Sequence, residues 1–262
     1  MIRRVMTLCV LLSCAVGAQE VKDGESDKKP GKDAPKPHQL RFLAVGDPPP
    51  FVQEVRDGAR YEVPPPEGMI PPRALVIPVE PPPAEKKAEP VKLPLKLRLG
   101  QMSSLVEMAL PDNRLVQLNR EGGGRWLEFQ VPTTTKTATL VLLCRDARTW
   151  DKPRALILPD DAEQRKEGSV HFSNLSATPI ALALGNEKLR IDPGKTVTRI
   201  MSPGGPAQPL DIRYPSANGS LLPCLTTQLE GSRGGVRRII IYTADGAKPR
   251  SPVKVFQLEE SF

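Results

Sequence analysis

The sequence predicts an all-β fold, built as two tandem antiparallel β-sandwich domains. Three observations carry that expectation. Apolar residues recur at every second position, as at Leu95, Leu97 and Leu99, Val170 and Phe172, Leu189 and Ile191, Leu210 and Ile212, and Val253 and Val255, the rhythm of strands with one buried face. These short runs are separated by turn formers in a chain that holds 30 Pro and 20 Gly among 262 residues, the punctuation of sandwiches and barrels. No stretch of about twelve residues or more shows the three-to-four spacing of an amphipathic helix.

The chain opens with Arg3 and Arg4, an apolar run from Val5, then Val16 and Ala18 at the small-residue spacing that signal peptidase reads. Residues 1–18 are therefore expected to be an export signal, cut between Ala18 and Gln19, which sends the protein to the periplasm, the envelope or the extracellular space. Leu11-Leu12-Ser13-Cys14 also has the form of a lipobox, which would make Cys14 a lipid-anchored N-terminus. Cleavage after Ala18 is preferred, because the lipobox leaves a very short apolar region. No later run approaches the roughly 20 apolar residues of a membrane-spanning helix. Residues 19–39 contain almost nothing apolar and read as a disordered, charged tether.

Residues 40–159 form the first expected sandwich, carrying a proline-rich insertion at 80–94. The segment from Pro159 to Gly168 is the linker, with room for one helical turn, and 168–260 form the second sandwich. Two runs, 139–144 and 238–242, are continuously apolar and rich in branched residues, suiting central strands covered on both faces. The halves also align with each other. Placing 40–65 over 170–194 sets Phe42 on Phe172 and Pro49 on Pro179; after a two-residue slip, Tyr61 falls on Leu189 and Val63 on Ile191. Residues 140–158 lie over 238–256 without a gap. An internal duplication of one β-domain is the economical reading.

The stretch from Val170 through Pro179, with Asn174 and Ser176 inside it, and the closing hairpin from Arg238 to Leu258 resemble an uncharacterised group of secreted immunoglobulin-like sandwich domains that begin V-R-V-x-N-x-S-P. The resemblance covers only residues 168–260 and departs from the pattern at His171 and Thr178. It implies an immunoglobulin-like sandwich and carries no functional residue with it.

Several chemistries are excluded on composition. Of the net charge of +7, Arg3 and Arg4 supply two, leaving a mild +5 for the exported chain. The one basic cluster, 233–238, has Tyr242 as its nearest aromatic, unlike a nucleic-acid groove, so no nucleic-acid partner is expected. Pro193-Gly194-Lys195-Thr196 looks like the end of a phosphate loop, but Leu189 stands where that loop needs glycine and a β-branched run follows, so it reads as a turn. Outside the leader only Cys144 and Cys224 remain, one in each half, and both read as small buried hydrophobes. His38 is assigned to the tether, and His171 to the solvated face of its strand. Neither makes a zinc site or a triad, and no Ca²⁺ loop motif appears.

Paired carboxylates are harder to exclude. Asp146, Asp151, Asp160 and Asp161 are the candidates for a carboxylate-dependent hydrolase, and all four read as solvated loop acids. Trp126 and Trp150 are candidate stacking platforms for a glycan, set against the alternative of core residues. Asn174 and Asn218 head glycosylation sequons. No cofactor, metal or catalytic residue is expected. The function expected is that of an exported, non-enzymatic structural or interaction module, with glycan binding through exposed Trp as the alternative and hydrolysis as a second.

Overall fold

The computed structural model describes residues 37–79, 90–146, 149–245 and 249–262. The leader with its Ala18–Gln19 junction, Cys14, tether residues 19–36 and the 80–89 part of the proline-rich insertion lie outside the described residues. The described residues form strands and turns without a helix, so the chain is all-β as expected. No described helix is long and apolar enough to cross a membrane.

The first half contains β1 (His38–Val45), β2 (Gln53–Arg56), β3 (Ala59–Glu62), β4 (Ala74–Val79), β5 (Val91–Lys96), β6 (Val106–Met108), β7 (Leu115–Arg120), β8 (Arg125–Gln130), β9 (Ala138–Asp146) and β10 (Thr149–Pro159). The second contains β11 (Ser169–Asn174), β12 (Ile180–Leu184), β13 (Glu187–Ile191), β14 (Thr196–Ile200), β15 (Gln208–Pro215), β16 (Leu221–Leu229), β17 (Gly235–Thr243) and β18 (Val253–Ser261). In the first half one sheet runs β10-β9-β1-β6 and another β5-β4-β7-β8; in the second half the orders are β14-β11-β17-β18 and β13-β12-β15-β16.

Each half is a sandwich because alternate residues of its two sheets meet in one apolar interior. Leu40, Phe42 and Ala44 of β1 pack with Leu75, Ile77, Val116, Leu118, Trp126 and Phe129 across the first sandwich. Val170 and Phe172 of β11 pack with Ile180, Leu182, Leu210 and Ile212 across the second. Along the inner-sheet strands β1, β9, β11 and β17 the residues between them are largely covered too. Leu43 and Val45 of β1 and Leu140, Leu142 and Cys144 of β9 gather with Leu175, Ile240 and Tyr242 from the second half in a third apolar cluster. The inner sheets thus pack back to back and the molecule has four sheet layers. This is why 140–144 and 239–242 within those runs are apolar at every position: one alternate set fills a sandwich and the other fills the face between sandwiches.

Once β2 and β3 are set aside, the two halves have the same strand order and the same six pairings. These include a parallel pair between the first and seventh strands, β1 with β9 and β11 with β17. The registers agree as well, Phe42 lying opposite Val141 as Phe172 lies opposite Ile239. The alignment of Phe42 on Phe172 therefore matches the fold, but that of Tyr61 on Leu189 does not. The counterpart of β12–β13 is β4–β5, and the addition peculiar to the first half is the β2–β3 hairpin. The ungapped match of the ends also slips by two residues, because an irregularity between Thr149 and Arg154 sets Ile157 against Val141 where Gln257 stands against Ile239. The constant-type immunoglobulin order divides its strands ABED and CFG; here the second and third strands of each half are instead a hairpin within one sheet.

Three boundaries move. Strand β1 begins at His38, two residues before the expected domain start, because His38 and Leu40 are both buried. The proline-rich stretch ends inside β5, where residues 91–94 pair with β4. The linker holds turns closed by Gln164 N to Asp161 O at 2.8 Å and Arg165 N to Ala162 O at 3.2 Å, with no helical turn. It ends at Gly168, with φ +75°, where a Cβ would lie 2.1 Å from the Met201 carbonyl oxygen, so only glycine fits.

Candidate functional site

The residues singled out in the sequence do not converge. Trp126 and Trp150 are 5% and 1% exposed, and Trp126 Nε1 donates to the Trp150 carbonyl at 2.6 Å. The stacking-platform reading is corrected: both indoles point into the first sandwich because their strands alternate inward at those positions. Asp146 and Asp151, read as loop acids, are exposed but lie at the end of β9 and near the start of β10, facing Arg154 at 3.6 Å and Arg120 at 2.9 Å. Asp160 and Asp161, expected in solvent, are buried.

His38 and His171 are corrected too. Both are 5% exposed; His38 hydrogen-bonds Thr139 Oγ1 at 2.8 Å, while His171 reaches Thr198 Oγ1 and the Gln164 carbonyl, each at 2.9 Å. The linker and the first sandwich cover the face that a lone sandwich would leave wet. Pro193-Gly194-Lys195-Thr196 is the predicted turn, with Gly194 at φ +71° and Lys195 N donating to Asp192 O at 3.1 Å. Cys144 and Cys224 are free thiols; burial raises both, Cys224 to about 11. Asn174 is fully buried. Its amide donates to the Thr178 and Ile191 carbonyls at 2.8 and 2.9 Å, and its Oδ1 accepts from Ser176. That bonding gives the Asn-x-Ser spacing a structural role and hides the sequon. Among the described residues no three His, Cys, Asp or Glu side chains are grouped to hold a metal ion.

The buried acids serve the joint between the sandwiches. Asp160, at the end of β10, accepts from Arg41 of β1 (Nε at 3.0 Å) and from Arg238 of β17 at 2.5 Å, and Glu260 of β18 accepts from the same two guanidinium groups. Two cations and two anions, one of each from either half, close a ring. Burial alone would raise the Glu260 carboxyl, but Arg238 and then Arg41 pull it below the usual range. At the opposite end, Asp47 N donates to Asp245 at 2.8 Å, Asp245 N returns a bond to Asp47 at 3.1 Å, and Tyr242 and Lys254 both reach Asp47 at 2.9 Å. Arg145 Nε sits 3.1 Å from Asp245 Oδ1, an ion pair without hydrogen-bond angle.

Asp161 accepts from Thr137 N and Oγ1, Ala138 N and Lys136 N at 2.6–3.2 Å. Burial opposes its charge, but these bonds hold its pKa at about 2. A carboxyl depressed on folding stabilises the protein above its unfolded pKa near 4, and that contribution is lost as pH falls through the folded value. Burial, then the Arg238 charge, also lowers the His171 imidazole below 6.5, so its part fades from there downward. We expect stability to fall with acid in two stages, below about pH 6.5 and between about pH 4 and 2. In urea melts against pH, Asp161→Asn should flatten the second stage alone; an unchanged acid limb would refute the assignment.

The one element of the first half without a counterpart in the second stands in solvent. All eight residues of β2 and β3 are exposed. Asp57 and Gly58, at φ +52° and +78°, form the two-residue turn of left-handed residues that hairpins favour, because it matches the right-handed twist of the flanking strands. Around it Phe51, Val52, Val55 and Tyr61 are 50–68% exposed. The following loop, with Pro65, Pro66, Pro71 and Pro72, borders a shallow cleft of about 280 Å³ beside Trp150 that also meets Arg120 and Asp151. Those two side chains are already paired to each other, and Glu67 and Arg73 also line the cleft.

Sequence periodicity identifies β2–β3 as strands but not as free ones, since Tyr61 and Val63 alternate just as a core strand does. No known protein family matches the chain, and no curated protein does.

Proposed function

We propose that the protein is an exported, non-enzymatic interaction module: a rigid four-layer block that presents the β2–β3 hairpin to a partner. Export rests on the leader sequence ending at Ala18. The observation that carries the docking role is the hairpin itself. A two-stranded hairpin is marginal in water on its own, and one that exposes Phe51, Val52, Val55 and Tyr61 gains stability only when something covers them. The block suits a scaffold, because its joint is closed at both ends by charge and in the middle by apolar contact. The shared strand order supports descent of both halves from one β-domain, with the hairpin as the later addition.

The high proline content fits this reading. Edge strands β5 and β16 carry Pro94 and Pro223 within their ladders, and β10 has Pro153 in its irregular stretch; proline lacks the N–H donor that an added chain would use. The hairpin has no proline and is open along both edges.

A photo-crosslinking residue at position 55 should give discrete adducts in the native cells, and Phe51→Ser with Tyr61→Ser should abolish them. The same probe at Glu121, on the exposed β7–β8 turn, should give none. Equal adducts from both positions, or none from position 55, would remove the docking role.

A further inference from the structure

We infer that the occupant of the hairpin is a second copy of this chain, joined through β3 about a two-fold axis into a four-stranded sheet of order β2-β3-β3-β2. This rests on the docking role proposed for the hairpin and specifies its partner. The argument begins with which backbone groups are free. Val63 N donates to Val52 O at 2.9 Å, so Val52–Val63 is a hydrogen-bonded pair. Antiparallel pairs alternate, which makes Gln53–Glu62 and Val55–Arg60 the non-bonded pairs of the register. The N–H and C=O groups of Arg60 and Glu62 therefore point away from β2, along an open edge.

An incoming antiparallel β3 can bond to those groups in only a few registers. Centring the axis on Tyr61 places Arg60 opposite Glu62 of the second copy and Glu62 opposite its Arg60. The two hydrogen-bonded pairs are then both ion pairs, and Tyr61 meets its own copy in the closer, non-bonded position between them. The neighbouring registers of the same hydrogen-bond phase set Arg60 against Arg60 or Glu62 against Glu62, opposing like charges. On the Tyr61 face, Ala59 comes opposite Val63 in both directions, so six side chains from two copies form one apolar stripe. Pro64 follows and ends the strand. The β2 edge offers less: matching Glu54 with Arg56 there sets Gln53 against Asp57 in the turn and leaves a single hydrogen-bonded pair.

The register makes the test specific. In the oxidised full chain, Tyr61→Cys should form a disulfide-linked dimer, since directly opposed residues in antiparallel strands lie about 4.5–5.5 Å apart at Cα, within disulfide reach. Arg60→Cys alone and Glu62→Cys alone should not exceed the parent chain, whereas their mixture should cross-link. By sedimentation, Arg60→Glu should weaken dimerisation about tenfold or more, and adding Glu62→Arg to it should restore the dimer. The inference is overturned if the chain sediments as a monomer and Tyr61→Cys cross-links no faster than Leu115→Cys. If that monomer still gives position-55 adducts with another protein, the docking role stands and only the second copy is lost; if those adducts are absent too, both fall.

Discussion

Asp160→Ala is expected to lower the unfolding free energy by about 3–5 kcal/mol, as much as a large core truncation would. Asp160 is 3% exposed and answers both Arg41 and Arg238. Its removal leaves two guanidinium groups sharing Glu260 in a site from which water is excluded. The cost is that of the orphaned cations and exceeds the net worth of the ring. Changing all four members to apolar residues of similar volume should therefore come within about 2 kcal/mol of the parent. Urea unfolding followed by the fluorescence of the buried Trp126 and Trp150 measures both. A loss under 1 kcal/mol for Asp160→Ala would mean that the ring is open to solvent.

The second large effect is expected at the middle of the same face. Ile240 is fully buried there with Leu43 and Leu142, and Ile240→Asp sets a carboxylate among side chains with no donor to offer. Isolated polar groups buried without partners cost several kcal/mol, so the variant should lose most of its stability or hold its sandwiches apart. Leu115→Asp, at a position 39% exposed, should stay within about 0.5 kcal/mol of the parent. Similar melting of the two variants would show that the inner sheets do not pack on each other.

How far the sequence discloses this arrangement depends on what each signal can encode. The alternation in β1, β11 and β15 names the strands and their inward faces, and the unbroken apolar runs of β9 and β17 name strands covered on both sides. Neither names the cover. Charged Arg41 and Arg238 sit in those strands at positions that should face solvent in a lone sandwich, and their partners, Asp160 and Glu260, lie 119 and 22 residues away along the chain. His171 and Asp160 look solvated for the same reason, because local context cannot show a second sandwich laid across them.

The tryptophans were resolvable in part, since Trp126 and Trp150 each alternate with charged neighbours, Arg125 and Asp151, that take the outward positions. The hairpin fails in the opposite direction. Its Tyr61 and Val63 have the rhythm of a core strand, and periodicity reports only that a face is apolar. What that face meets is settled by topology, which leaves β2–β3 outside both sandwiches. The proline-rich stretch is conspicuous in composition and separates β4 from β5 where two residues separate β12 from β13; the hairpin before it is a second addition that composition does not mark.

Differential scanning calorimetry of the full chain tests most directly whether the two sandwiches are one unit. A shared, fully buried face predicts a single transition whose calorimetric and van't Hoff enthalpies agree, with Ile240→Asp splitting it in two. Two separate transitions in the parent chain, unmoved by Ile240→Asp, would contradict it.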